Sequence, residues 1–200
     1  KAQAHVFKSY IKSFAAESID LDLQGDPIVL NFEEGPPSEL IFLGTNAKTA
    51  QGFHGNFYFD EYFWVHGFQT LQKVASGMAM HKRWRKTYFS TPSSKSHEAF
   101  NFWTGEIFNK GRPKDKRLNI DVSHEALKDG RLCEDKIWRQ IVTILDAENG
   151  GCDLFDIEEL RFEYSPEEFA NLLMCEFIDD GASIFPLAML QPCMVDSWEA

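Results

Sequence analysis

Long apolar runs, paired cysteines and internal repeats are all missing from this chain, and each absence narrows the field. No stretch approaches the roughly 18 to 20 uninterrupted apolar residues that a membrane-crossing helix needs, so no membrane partner is expected. The opening Lys1-Ala2-Gln3-Ala4-His5 has neither an initiator methionine nor the layout of a secretory signal. The chain therefore reads as a piece of something longer or a processed product. Cys133, Cys152, Cys175 and Cys193 lie about 20 residues apart, with no CxxC pair and no histidine at ligand spacing. That argues against zinc and for reduced thiols in a cytoplasm. No internal repeat and no low-complexity tract is seen.

Basic residues are scarce at both ends. Residues 1–72 hold 4 basic and 9 acidic side chains, residues 140–200 hold 1 and 14, and the middle stretch 73–139 holds 15 and 8. A net charge of -11 thus conceals a basic island, the place where a nucleic-acid partner would sit if it sits anywhere. With 200 residues and 44% hydrophobic content, the chain can build one full core, or a core plus a smaller appendage.

Apolar residues Val6, Phe7, Tyr10, Ile11 and Phe14 recur at three- and four-residue steps and predict an amphipathic helix over 3–18. Extended runs at 27–32 and 39–43 flank Glu33-Glu34-Gly35-Pro36-Pro37-Ser38, which suggests a hairpin. A polar loop follows over 44–55. Next come a buried strand at 56–59, a helix over 67–80, a strand at 86–90 and a helix over 96–108 with Phe100, Trp103 and Ile107 on one face. That alternation predicts an α/β fold with a parallel sheet. Lys110-Gly111-Arg112-Pro113-Lys114-Asp115-Lys116-Arg117 has the chemistry of a linker. Beyond it the pattern predicts helices over about 133–148 and from Ser165-Pro166-Glu167-Glu168 to Phe177. The expected domains are 1–109 and a smaller, mostly helical 110–200.

The string Phe57-Tyr58-Phe59-Asp60-Glu61 holds two acids at the carboxyl end of a strand, where phosphates bind in parallel sheets. There Asp60 could bind Mg²⁺ and Glu61 could orient an attacking water. Alone, the pattern also fits a surface-exposed strand end. About thirty residues on, Thr87-Tyr88-Phe89 ends in Ser90-Thr91-Pro92, whose hydroxyls could sense a γ-phosphate and relay its presence.

Thr45-Asn46 with Thr49-Ala50-Gln51-Gly52, the run 57–64 and Trp84-Arg85-Lys86-Thr87-Tyr88-Phe89-Ser90-Thr91-Pro92-Ser93 together resemble the large terminase subunit of tailed double-stranded DNA phages. Within that family it resembles the branch of temperate contractile-tailed phages and their prophages. The likeness continues through Cys152-Asp153-Leu154-Phe155-Asp156 and residues 169–177. It implies a partial P-loop NTPase core of the ASCE, RecA-like type. Asp60 would be the Walker B aspartate, Glu61 the catalytic glutamate, Ser90, Thr91 and Pro92 the coupling motif, and Gln51 and Gly52 a nucleotide-proximal loop. It further implies ATP and Mg²⁺ in the full-length parent. The implied partners are double-stranded DNA, a small terminase subunit, a portal and procapsid, and other copies in an assembled motor. The implied setting is the bacterial cytoplasm.

No GxxxxGK[ST] phosphate loop is present; Gly44-Thr45-Asn46-Ala47-Lys48-Thr49 lacks its spacing. In the family that segment precedes the part resembled by 1–18, so this chain alone is expected not to hydrolyse ATP. A nuclease is expected to be absent as well: Glu176, Asp179 and Asp180 read as a solvated helix end, not a two-metal cluster. His81-Lys82-Arg83-Trp84-Arg85-Lys86 offers Lys82, Arg83, Arg85 and Lys86 as DNA-binding candidates, with a solvated connection as the equal alternative. Two rivals stand beside the motor reading: a superfamily 2 helicase fragment and a non-catalytic prophage remnant.

Overall fold

The structure is a computed structural model that describes residues 2–44 and 52–180. Two compact units are present, one of residues 1–57 with 70–85, the other of 58–69 with 86–200.

The first unit begins with helix α1, Ala2–Ile19. Lys8 ties it to the following chain, donating to the Gly25 carbonyl at 2.8 Å, pairing with Asp26 at 3.3 Å and lying over the Phe42 ring. Its apolar stripe is partly open: Val6, Tyr10 and Phe14 are 51, 59 and 65% exposed, while Phe7 and Ile11 are half-buried. Strands β1, Ile28–Leu30, and β2, Ser38–Leu40, form the expected antiparallel pair, with Ile28 opposite Leu40. Most of helix α2, Phe68–Met78, belongs to this unit, and the Met78 carbonyl accepts from Gly55 N–H at 3.2 Å.

Strand β3, Phe57–Asp60, pairs with β4, Lys86–Phe89. Phe57 N–H donates to the Arg85 carbonyl and Glu61 N–H to the Phe89 carbonyl, both at 2.9 Å. Equal four-residue steps in the same direction along both chains make the pair parallel. Around β3 and β4 the second unit builds an aromatic floor. Phe59, Tyr62, Phe68, Tyr88 and Phe102 pack with ring centroids between 4.9 and 6.3 Å, in stacked, tilted and edge-on arrangements. Phe68 is fully buried and Tyr62 and Phe63 nearly so.

The helix expected over 96–108 is broken in two, α3, Glu98–Trp103, and α4, Glu106–Asn109. Gly105 sits between them at φ 79°, and a side chain there would run into the Ile120 side chain. The helix expected over 133–148 is present only in its last part, Ile144–Asn149, which ends at Gly150 as expected. The chain makes α5, His124–Leu127, then a short antiparallel hairpin of β5, Arg131–Leu132, and β6, Trp138–Arg139, and only then α6, Ile144–Asn149. Gly130 and Lys136 both take positive φ, and Lys136 N–H closes the turn on the Cys133 carbonyl at 2.9 Å. Of the two, Lys136 lies inside the expected helix, and a helical run does not absorb a left-handed residue.

Helices α7, Ile157–Glu163, and α8, Pro166–Leu172, complete the described chain. The capping box read from Ser165 and Glu168 is present, with Pro166 at the first helical turn, though the helix ends five residues before Phe177. Ile120, Leu127 and Cys133 form one buried cluster of this unit, and Ile144, Ile157 and Phe169 another. The architecture is mixed α/β, with small parallel and antiparallel sheets. Among the described residues, Cys133, Cys152 and Cys175 are free thiols, and no helix is long and apolar enough to cross a membrane.

Candidate functional site

Asp60 is the last residue of β3, and its side chain is exposed at the strand's carboxyl end. Glu61 follows in the left-handed region, φ 52° and ψ 40°, which costs a residue with a Cβ about 1 to 2 kcal/mol. Trp64 N–H donates to the Glu61 carbonyl at 2.9 Å, closing a 3-10 turn over Tyr62–Trp64. The buried rings of Tyr62 and Phe63 hold that turn down, which offsets the strain. Burial pushes the Tyr62 phenol far above its ordinary range and that of Tyr88 up to about 12, so both rings stay neutral beneath the acids.

The left-handed turn directs the Glu61 carboxylate to the coupling candidates. Its Oε2 accepts from Ser90 Oγ at 2.9 Å and lies 3.4 Å from Thr91 Oγ1. Ser90 Oγ also has the Thr91 carbonyl at 2.7 Å, so its single proton has two acceptors. Thr91 Oγ1 accepts from the Trp64 indole N–H at 3.0 Å. Ser93 Oγ donates to the Phe63 carbonyl at 2.8 Å. His97 Nδ1 accepts from Ala99 N–H, capping α3, which leaves Nε2 as the donor to the Val65 carbonyl at 3.2 Å. Burial holds the His97 imidazole below its usual range, so it remains neutral.

Asp60, Glu61, Ser90 and Thr91 are thus brought to one strand end, as their sequence pattern suggested. Pro92 lies next in the same segment and is buried. Sequence reasoning missed Trp64, Ser93 and His97. A signal existed for part of this, since five of the seven residues from Ser90 to Ser96 carry hydroxyls.

Among the described residues no group of three or more His, Cys, Asp or Glu could cage a metal ion. A single exposed carboxylate still fits Mg²⁺, which takes one or two protein carboxylates and fills its remaining positions with water and phosphate oxygens. Asp60 has the chemistry to hold it. Asp179 and Asp180 are not merely a solvated helix end: Asp180 accepts from Ser94 and Ser96, and Asp179 pairs with Lys95.

Gly52 lies exposed in a turn, and Gln51 lies outside the described residues. Lys82, Arg83, Arg85 and Lys86 are exposed. The Arg83 guanidinium stacks 4.1 Å over Trp84, so one face of that indole is already covered. Among the described residues Lys82, Arg83 and Arg85 take part in no ion pair.

With this geometry in view, the chain belongs to the terminase large subunit family, T4likevirus-type, N-terminal, which matches residues 1–192. It is 57% identical over 200 residues to the terminase, ATPase subunit, of Escherichia phage P2, a match covering all of this chain and 33% of that protein. It is 48% identical over 197 residues to the probable terminase, ATPase subunit, of Haemophilus phage HP1, strain HP1c1, covering 98% of this chain and 32% of that protein. The chain therefore spans about a third of the length of these curated relatives. No solved structure matches it.

Proposed function

We propose that this chain supplies the metal- and water-handling half of the ATPase centre of a DNA-packaging motor. The observation that carries the reading is the strained Glu61, held in a left-handed turn with its carboxylate on the Ser90 and Thr91 hydroxyls. A non-glycine residue kept there by buried aromatics on one side and hydroxyls on the other suits a group whose orientation matters to chemistry. The parallel pairing of β3 and β4 supports the finer reading of the fold as part of a P-loop core of the ASCE, RecA-like type.

Asp60 would hold Mg²⁺, which supplies charge neutralisation for the transferred phosphoryl group of ATP. Glu61 orients and polarises the attacking water. Ser90, Thr91 and Pro92 serve as the coupling motif, and Gln51 with Gly52 forms the loop near the nucleotide. Lys82, Arg83, Arg85 and Lys86 meet the DNA backbone. In the full-length protein, residues 1–109 belong to the motor core and 110–200 to a linker subdomain. The motor moves double-stranded DNA into a procapsid through a portal, with a small terminase subunit and further copies of the large one, in the bacterial cytoplasm.

ATP turnover by the full-length subunit tests the reading. Glu61→Gln keeps the hydrogen-bonding shape but removes the charge, and is expected to lower kcat by about 10³-fold with binding retained. Turnover within a few-fold of wild type would sink it. The 200-residue chain measured alone is expected to show no glutamate-dependent hydrolysis, because its sequence has no phosphate loop.

A further inference from the structure

The segment 90–97 has two hydrogen-bonded sides, and only one faces the Asp60-Glu61 turn. Ser90, Thr91, Ser93 and His97 bond toward that turn through their side chains. The chain between 171 and 180 takes up the other side. Asn171, 5% exposed, donates from Nδ2 to the Pro92 carbonyl at 3.0 Å and to the Glu176 carbonyl at 2.7 Å. Ile178 N–H donates to the Ser93 carbonyl at 3.0 Å, and Lys95 N–H to the Ile178 carbonyl at 2.9 Å, a parallel bridge centred on Ser94. Ser94 and Ser96 each donate to an oxygen of Asp180, while Lys95 Nζ meets Asp179 at 2.9 Å. Phe177 packs edge-on against Phe63 and Phe100, each at 4.9 Å.

Asn171 is chemically specific in this place. Both its bonds use the protons of one amide nitrogen, so a carboxylate would face two carbonyl oxygens and a leucine would leave both without this donor. The Ser90 proton also has a second acceptor within reach. If Glu61 turns its oxygen away toward a water, the Ser90 proton has the Thr91 carbonyl already at 2.7 Å. The change at Ser90 then falls on a backbone whose next residues are bonded to 171–180.

We propose that residues 90–97 act as a strap that passes the state of the Glu61 carboxylate to the 171–180 segment, with Asn171 as the positioning residue that sets the strap's register. The inference rests on the reading of Glu61 as the water-orienting group. Coupling requires an element with two hydrogen-bonding arrangements whose balance each end can bias, and the two acceptors of the Ser90 proton would supply them.

The test measures base pairs moved per ATP hydrolysed by the full-length subunit in a translocation reaction. Asn171→Leu is expected to lower that ratio about 5-fold or more while the KM for ATP stays within about twofold. Asp180→Asn, at a partly exposed position, is expected to act in the same direction and carries the test if the Asn171 variant does not fold. A wild-type ratio in the folded variants overturns the strap. Glu61→Gln, run in parallel, separates the two claims: if it hydrolyses ATP normally, the underlying site reading falls. If it is inactive while the Asn171 and Asp180 variants translocate normally, the strap alone falls.

Discussion

The turn 81–86 and the hairpin 131–139 both belong to the basic island, and their cations are used in opposite ways. Arg139 is 2% exposed in its side chain and makes a bidentate pair with Asp135, both contacts at 2.7 Å. It also donates to the Trp103 carbonyl at 2.8 Å and the Phe102 carbonyl at 3.3 Å, tying the end of α3 to the hairpin. Burial pushes the Asp135 carboxyl up, but the bonds from Arg139 and from Ile137 N–H override it and hold the group below its ordinary range. The cations Lys82, Arg83 and Arg85 are exposed and outside any described ion pair. Charge counting puts all of them in one electrostatic footprint. Satisfaction of their donors divides them into a structural arginine and a surface free to meet phosphate.

The largest expected effect breaks the structural side of that comparison. Arg139→Met leaves the Asp135 carboxylate buried without its partner and is expected to cost about 3 to 5 kcal/mol in denaturant unfolding. Replacing both, Asp135→Leu with Arg139→Met, is expected to recover most of that, since the pair offsets its own desolvation. A single variant within about 0.5 kcal/mol of wild type would mean that the pair holds nothing. Neutralising Lys82, Arg83, Arg85 and Lys86 together tests the other side. Stability is expected to hold, while DNA affinity drops and the slope of log affinity against log salt flattens by about 3 to 4. An unchanged slope would end the case for this surface as a DNA contact.

Local pattern explains what the sequence revealed and where it stopped. The helix over 2–19, the β1 and β2 pair, the capping box at Ser165 and the Asp-Glu strand end are all written within a few residues, so spacing exposes them. The helix expected over 133–148 forms only from Ile144 onward, because the left-handed Lys136 decides a turn that spacing does not announce. The partly open stripe on α1 shows the limit from another side. Periodicity reports an apolar face, not whether anything covers it. Asn171 was invisible for a different reason: its partner Pro92 is 79 residues away, and an asparagine inside a helix has no local mark.

A smaller effect concerns a carboxylate that lies between the extremes. Asp146 accepts from the Thr143 hydroxyl at 2.6 Å and N–H at 2.8 Å and meets His124 Nε2 at 2.7 Å, and these bonds, led by Thr143, hold its carboxyl down to about 2. A depressed carboxyl stabilises the fold above its unfolded pKa and loses that contribution as pH falls through the folded value. The loss is expected between about pH 4 and 2, and for so solvent-accessible a group amounts to about 1 kcal/mol. Urea unfolding of Asp146→Asn should show the matching flattening of stability over that window, and an unchanged acid limb would remove Asp146 from the account.

The smallest expected effect lies at Arg112, which shares features of both basic classes. Its guanidinium stacks 3.9 Å over Phe108 and its Nε donates to the Phe108 carbonyl at 2.7 Å, yet the residue is exposed. An exposed cation over a ring contributes about 0.5 to 1 kcal/mol, so Arg112→Ala should destabilise by no more than that. If donor satisfaction is the right criterion, a guanidinium held over its own helix end is poorly placed to reach phosphate, and the salt slope for DNA should change by less than about one unit. A slope change as large as that from the whole 81–86 set would show instead that charge alone, and not the bonds each cation makes within the fold, decides which residues meet DNA.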